Sequence, residues 1–217
     1  MLLKTDYPSM KKIFSLFFVA SLGFATHSTY AASCKLGDQI VQDQPLCIAD
    51  LDLQRKALNE QLLAASLVSD APNQLLRDSQ SAWLQRVRQC KSLTCRKQQF
   101  EQRVDELNFY TSMNQSMTLH YFKFNQGNLS YPAIQLRIHQ LNKNRIKIEG
   151  FSYQNPNNLP EQQVINLTAY TTPEQKQRIR DNDSGCQYQL QFDKALLQIK
   201  SEQKSCNRFV GYYRLYD

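Results

Sequence analysis

Residues 80–107 read QSAWLQRVRQCKSLTCRKQQFEQRVDEL. In this stretch Trp83, Val87 and Cys90 share one helical face, and Phe100, Val104 and Leu107 share another. Between them Cys90 and Cys95 enclose four residues. Apolar residues at three- and four-residue spacing mark amphipathic helices that bury one stripe each. Upstream, Leu51, Leu58, Leu62 and Ala65 form a similar stripe, which Asp70, Ala71 and Pro72 interrupt while supplying a new helix start. The spacing predicts three helices joined by short turns, packed antiparallel, the first starting at Cys47, the second ending at Cys90 and the third beginning at Cys95.

Downstream of Ser116 the period changes from helical to alternating. Residues 117–124, 134–138, 145–151, 162–170, 187–192, 196–200 and 208–215 alternate apolar with polar side chains, with turns at 142–144 and 193–194. Seven short strands suit one small antiparallel barrel or sandwich. Residues 153–161 and 171–185 are its expected long loops. The expected fold class is therefore α+β, with a disulfide-stapled three-helix packet at 32–112 and an antiparallel β domain at 117–217.

The chain begins with a segment outside this plan. Lys11 and Lys12 precede an apolar run from Ile13 to Ala25, and small residues follow at Thr29 and Ala31. The run is shorter than the roughly 20 residues a bilayer span needs, so residues 1–31 read as a secretory signal and the expected location is periplasmic or secreted. All six cysteines, at 34, 47, 90, 95, 186 and 206, lie beyond it. An even number in an exported chain argues for disulfides. Acylation of Cys34, which Ala31-Ala32-Ser33-Cys34 would loosely permit, would leave one thiol unpaired, so parity favours the soluble form over a lipid anchor. Cys186 and Cys206 flank the last hairpin and should pair. The first four gather at one end of the helical packet as two bridges, for which three pairings exist. Zinc is disfavoured because the Cys34–Cys47 spacing leaves twelve intervening residues. A thioredoxin-type redox motif is disfavoured because four residues rather than two separate Cys90 from Cys95.

The helical block carries a resemblance. Gln80, Trp83 and Leu84, then Cys90 and Cys95, an aromatic at Phe100, and Arg103, Val104 and Leu107 resemble the N-terminal domain of the LprI-type lysozyme-inhibitor family of bacterial envelope proteins, over about residues 34–110. Asp43 and Cys47 are similar to that family's acidic residue four places before its second cysteine, while Val87 stands where an arginine is usual. The resemblance implies a protein that binds and occludes a cell-wall hydrolase, with a lysozyme or related enzyme as partner. Asp50 and Asp52, a pair of carboxylates at the start of the first helix, and Arg103 are the candidate binding residues. Each also has a structural reading: the aspartates cap and charge the helix start, Arg103 is a helix-surface cation or pairs with Glu101 or Asp105, and Trp83 plugs the core.

Signals for catalysis are sparse. Beyond residue 31 the histidines are His120 and His139, each expected as a partly exposed strand residue, and neither a metalloprotease nor a nucleophile-elbow motif occurs. Asp50 and Asp52 are two apart, so on a helix they do not face each other as a dyad would. Residues 181–185 begin like a calcium loop, but Phe192 occupies the position of its final glutamate, and the stretch reads as a turn. We expect a non-enzyme with no cofactor and no metal. The chain has 26 basic and 19 acidic residues, and residues 1–31 contain three lysines and one aspartate, so the remainder carries 23 and 18, net +5. That excess lies in the second half, around Arg137, Lys143, Arg145, Lys147 and Arg208. Interspersed charge favours a solvated sheet face; contact with anionic envelope material is the alternative, and nucleic acid is not an expected partner. A non-inhibitory module that binds an envelope protein or the wall is the second functional expectation.

Overall fold

The computed structural model describes residues 32–69, 71–111 and 117–216. The signal-peptide expectation for 1–31 lies outside these residues. A two-stranded ribbon, β1 (Ser33–Leu36) and β2 (Gln39–Gln42), opens the described chain. A 3-10 turn at Ala49–Leu51 leads into α1 (Asp52–Val68), followed by α2 (Asn73–Val87) and α3 (Leu93–Tyr110). The helical stripes are largely buried: Leu51 in the 3-10 turn, Leu58 and Ala65 on α1, Leu76, Trp83 and Val87 on α2, and Phe100 and Leu107 on α3, with Leu62 and Val104 partly buried against them. Trp83 meets Phe100 edge-on at 5.0 Å between ring centroids, and its indole N–H donates to the Gln99 carbonyl at 2.9 Å.

Helix ends differ from expectation by a few residues. The segment after Cys47 turns through a 3-10 geometry before α1, because Arg55 donates to the carbonyls of Leu46 and Ile48 at 2.9 and 2.7 Å and folds that segment back on the helix. Ser92 caps α3, its hydroxyl accepting from the Cys95 amide at 3.1 Å, so the helix begins at Leu93.

The rest of the chain forms β3 (Thr118–Asn125), β4 (Asn128–Leu129), β5 (Ile134–Asn142), β6 (Arg145–Tyr153), β7 (Val164–Thr171), β8 (Arg178–Arg180), β9 (Gln187–Asp193), β10 (Leu196–Lys200) and β11 (Gly211–Tyr216). All neighbours pair antiparallel, in the order β7-β6-β5-β3-β11-β10-β9-β8, with β4 added beside β3. The sheet curls until its end strands meet. There the Asn182 amide donates to the Thr168 carbonyl at 2.8 Å, and the Thr168 amide donates to Asp181 Oδ1 at 2.9 Å. Asp181 is 3% exposed and also accepts from the Ser184 hydroxyl and amide. The 181–185 turn is thus the clasp of a nearly closed barrel. Burial pushes the Asp181 carboxyl up, and these donors outweigh it, holding the group below its ordinary value.

The barrel interior is packed with side chains, among them Leu136, Ile148, Leu167, Leu197, Ile199 and Tyr213. Gly150 faces inward, and a Cβ there would come within 2.8 Å of Phe209 and 3.0 Å of Leu167, so the packing admits only hydrogen at this point. Some segments depart from the expected pattern. The ribbon at 33–42 and the short β4 and β8 lie outside the expected strands, and the last strand, expected over 208–215, begins at Gly211 because Lys204–Phe209 forms a 3-10 turn that carries Cys206.

Helices and barrel share packing. Phe122 of β3 and Tyr216 of β11 belong to the same buried cluster as Leu75, Trp83 and Leu107, and residues 31–217 form one compact unit. The change of period near residue 115 marks a change of secondary structure within that unit. Asn157, in the expected 153–161 loop, reinforces the junction: its Nδ2 donates to the Gln89 carbonyl and its Oδ1 accepts from the Lys91 amide, both at 2.8 Å.

The disulfides join Cys34 to Cys47, Cys90 to Cys95 and Cys186 to Cys206, so every cysteine is bonded. The first closes the β1–β2 ribbon onto the start of the helices, the second ties α2 to α3, and the third links the flanks of the β9–β10 hairpin. Such bridges persist in an oxidising compartment, which fits an exported chain. Among the described residues no helix is long and apolar enough to cross a membrane.

Candidate binding groove

The outer face of β3, β5 and β6 is covered by α3, and polar side chains fill the seam. Arg103 is 1% exposed. It donates to Gln80 Oε1 at 3.0 Å, to the Ser79 hydroxyl at 2.9 Å and to Glu106 Oε2 at 3.0 Å. Arg86 donates to the other Glu106 oxygen at 3.0 Å and to Gln99 Oε1 at 2.7 Å, and its guanidinium lies 4.0 Å from the centroid of the Tyr153 ring. Burial pushes the Glu106 carboxyl up. Arg86 and Arg103, with hydrogen bonds from Arg103 and Tyr153, outweigh it and hold the group below its ordinary range, so it is ionised.

This arrangement corrects the expectation for Arg103. Its acidic partner is Glu106, three residues on and on the same helical face, whereas Glu101 and Asp105 are two residues away and point elsewhere. A guanidinium this buried presents no binding surface. Asp50 and Asp52 are exposed; neither side chain caps the helix, and Asp52 pairs with Arg55 one turn on.

The two histidines are buried rather than partly exposed, His120 at 1% and His139 at 8%. The physical reason is α3, whose Phe109 ring lies over them at centroid distances of 6.1 and 5.5 Å. Burial, then the charges of Arg137 and His139, lower His120 to about 3, so its imidazole is neutral. His139 Nδ1 lies 2.8 Å from the Thr118 hydroxyl and Nε2 lies 2.8 Å from Glu149 Oε2. That hydrogen bond, against opposing burial and aided by Lys147, takes Glu149 down to about 2. Hydroxyl, imidazole and carboxylate stand in the order used to activate nucleophiles. Here the chain lies under the helix, where it fixes the orientation of the imidazole.

A broad concavity opens on the other side of α2. About 730 Å³ lies between the outward face of α2 (Gln74, Asp78, Ser81, Gln85), the β3–β4 hairpin (Phe124, Leu129), the 130–133 segment and the end of β11 (Arg214, Tyr216). Its walls are fixed to each other. The Tyr216 hydroxyl donates to Asp78 Oδ2 at 2.7 Å, joining β11 to α2, and Gln74 Nε2 donates to Asp78 Oδ1 at 2.7 Å. The Ser130 amide donates to the Lys123 carbonyl at 2.8 Å, holding the hairpin exit against β3. Behind the groove, Ala82, Arg86, Ala133 and Tyr153 surround a small void continuous with the ionic seam. Tyr131 stands 58% exposed and Arg214, also of the lining, is exposed. Tyrosine and arginine carry large contact area and directed donors at modest entropic cost, which is why they dominate binding hot spots.

None of Asp50, Asp52 and Arg103 lines this groove. The residues that do come from three stretches far apart in sequence and lack a common motif. In the sequence Asp78 and Gln85 mark only the polar side of a helix, and Arg214 only the polar side of a strand. Among the described residues, no three histidine, cysteine or acidic side chains gather where they could hold a metal ion. Comparison with known protein families, curated proteins and solved structures finds no match for this chain.

Proposed function

We propose that this is an exported, periplasmic binding protein that acts without chemistry of its own, and that its groove receives a projecting segment of a cell-wall hydrolase and thereby occludes that enzyme. One observation supports the reading above the others: a groove of about 730 Å³ with Tyr131 and Arg214 exposed in its lining, on walls braced by disulfides and a buried ionic seam. Rigid walls reduce the ordering cost of association. The hydrolase as partner comes from the LprI-like pattern in residues 80–107. Net charge contributes little, because a basic chain gains no steering toward a basic enzyme, so affinity rests on shape and on the exposed tyrosine.

The test is inhibition of purified lysozymes by the mature protein, read as residual lysis of cell-wall substrate. Wild type should inhibit, and Tyr131→Ala with Gln85→Lys should raise the concentration for half-inhibition at least tenfold while leaving the unfolding transition in place. Wild-type protein that inhibits no lysozyme would reject the occlusion reading in favour of a non-inhibitory module that binds an envelope protein or the wall.

A further inference from the structure

A second surface, apart from the groove, has its own chemistry. Along β8, β9 and β10 the side chains that point away from the barrel are Arg178 and Arg180, then Gln187, Gln189 and Gln191, then Gln198 and Lys200, with Asp193 and Leu196 beside the β9–β10 turn. Strand register places them in rows: Arg178 beside Gln189 beside Lys200, and Gln191 beside Gln198 beside Tyr212. The rows border a shallow hollow of about 300 Å³. Gln198 Nε2 donates to the Tyr212 hydroxyl at 2.8 Å, which fixes both side chains on the sheet. Among the described residues Arg178, Arg180 and Lys200 form no ion pair. Acidic side chains are absent from these rows; Asp193 stands at the far end of β9.

We propose that this face binds an N-acetylated glycan bearing carboxylates, the chemistry of a bacterial cell-wall strand. Side-chain amides offer a donor and an acceptor each, which matches sugar hydroxyls and acetamido groups. The exposed Tyr212 ring offers a flat apolar surface for a sugar ring. The cations at both margins, which form no ion pair among the described residues, complement the acidic groups of such a strand. Neighbouring strands lie about 4.8 Å apart, so the amides of β9 and β10 recur at a spacing that lets one strand of glycan contact several of them. A purely cationic face would need no ordered amides, and here four glutamines stand among the three cations. The proposal is independent of hydrolase occlusion, since none of the strand residues named above lines the groove.

The experiment is co-sedimentation of the mature protein with peptidoglycan sacculi stripped of protein and lipid. Wild type should sediment with the sacculi. Arg178→Glu with Lys200→Glu should weaken binding at least tenfold, and Gln189→Ala with Gln191→Ala at least threefold, with lysozyme inhibition unchanged in both. Lys56→Glu, an exposed position on α1, should bind as wild type does. The proposal is overturned if wild type stays in the supernatant, or if Lys56→Glu loses binding as strongly as the β8–β10 charge reversal. It is also overturned if the glutamine pair binds like wild type while anionic phospholipid vesicles or single-stranded DNA bind as tightly as sacculi, because the face would then read charge alone.

Discussion

Replacing Glu106 by glutamine probes the seam that joins helices to barrel. Glu106 accepts from Arg86 and Arg103 with one oxygen each, both at 3.0 Å, and the two guanidinium side chains are 8% and 1% exposed. Glutamine keeps one acceptor and turns an N–H₂ group toward the other guanidinium, leaving two buried cations without a counter-charge. Removing one partner from a buried pair costs about 3–5 kcal/mol, chiefly the desolvation of the charge left behind. In a unit of this size about 1 kcal/mol moves the midpoint by roughly 2–4 °C, so a fall near 10 °C is expected. The pH dependence has a definite sign. Because the folded carboxyl sits below its ordinary value of 4.5, its stabilisation is complete above that pH and is lost as pH falls through the folded value. Thermal and urea unfolding at pH 7 should show the full gap in a single transition followed equally by helical and aromatic signals, and the gap should narrow on acidification. A loss below about 1 kcal/mol at pH 7, a gap that persists into acid, or separate helical and sheet transitions would refute the account of the seam.

Asp181→Ala should open the barrel clasp: hydrogen exchange at the Thr168 and Asn182 amides should accelerate far more than at Leu136 in the sheet centre, with a stability loss of about 1–3 kcal/mol; equal protection at all three sites would contradict the clasp. Because the Asp181 carboxyl is also held low, that loss should be present at neutral pH and fade as pH falls through its folded value. Removing Cys186 and Cys206 together should cost about 3 kcal/mol, as expected for a loop of roughly 20 residues, measured by urea midpoint against a variant lacking Cys90 and Cys95, whose short loop predicts a smaller loss. Mass spectrometry of the exported protein should find an N-terminus near Ala32 and a mass six hydrogens below the reduced chain; an acyl group on Cys34 would contradict the Cys34–Cys47 bridge.

Local periodicity, legible in the sequence alone, determined the three helices and the longer strands. Apolar stripes at Leu51, Leu58 and Ala65, at Trp83 and Val87, and at Phe100 and Leu107 require helices with one buried face, and alternation at 134–138 and 187–192 requires strands. Cysteine parity beyond residue 31 implied that all six cysteines pair, and the hairpin between Cys186 and Cys206 implied which two meet. Tertiary structure decided the features that depend on coverage by distant segments. Alternation marks one face of β5 as polar, yet Gln135, Arg137 and His139 are buried because α3 lies across them, and a strand's own residues carry no record of what will cover them. The same holds for Arg103, which reads as a surface cation until α2 contributes Ser79 and Gln80 and sets it in a seam. The groove is the extreme case. Asp78, Tyr131 and Tyr216 converge because the barrel brings its last strand beside its first and against the helices, a closure set by backbone hydrogen bonds across long separations rather than by a local pattern.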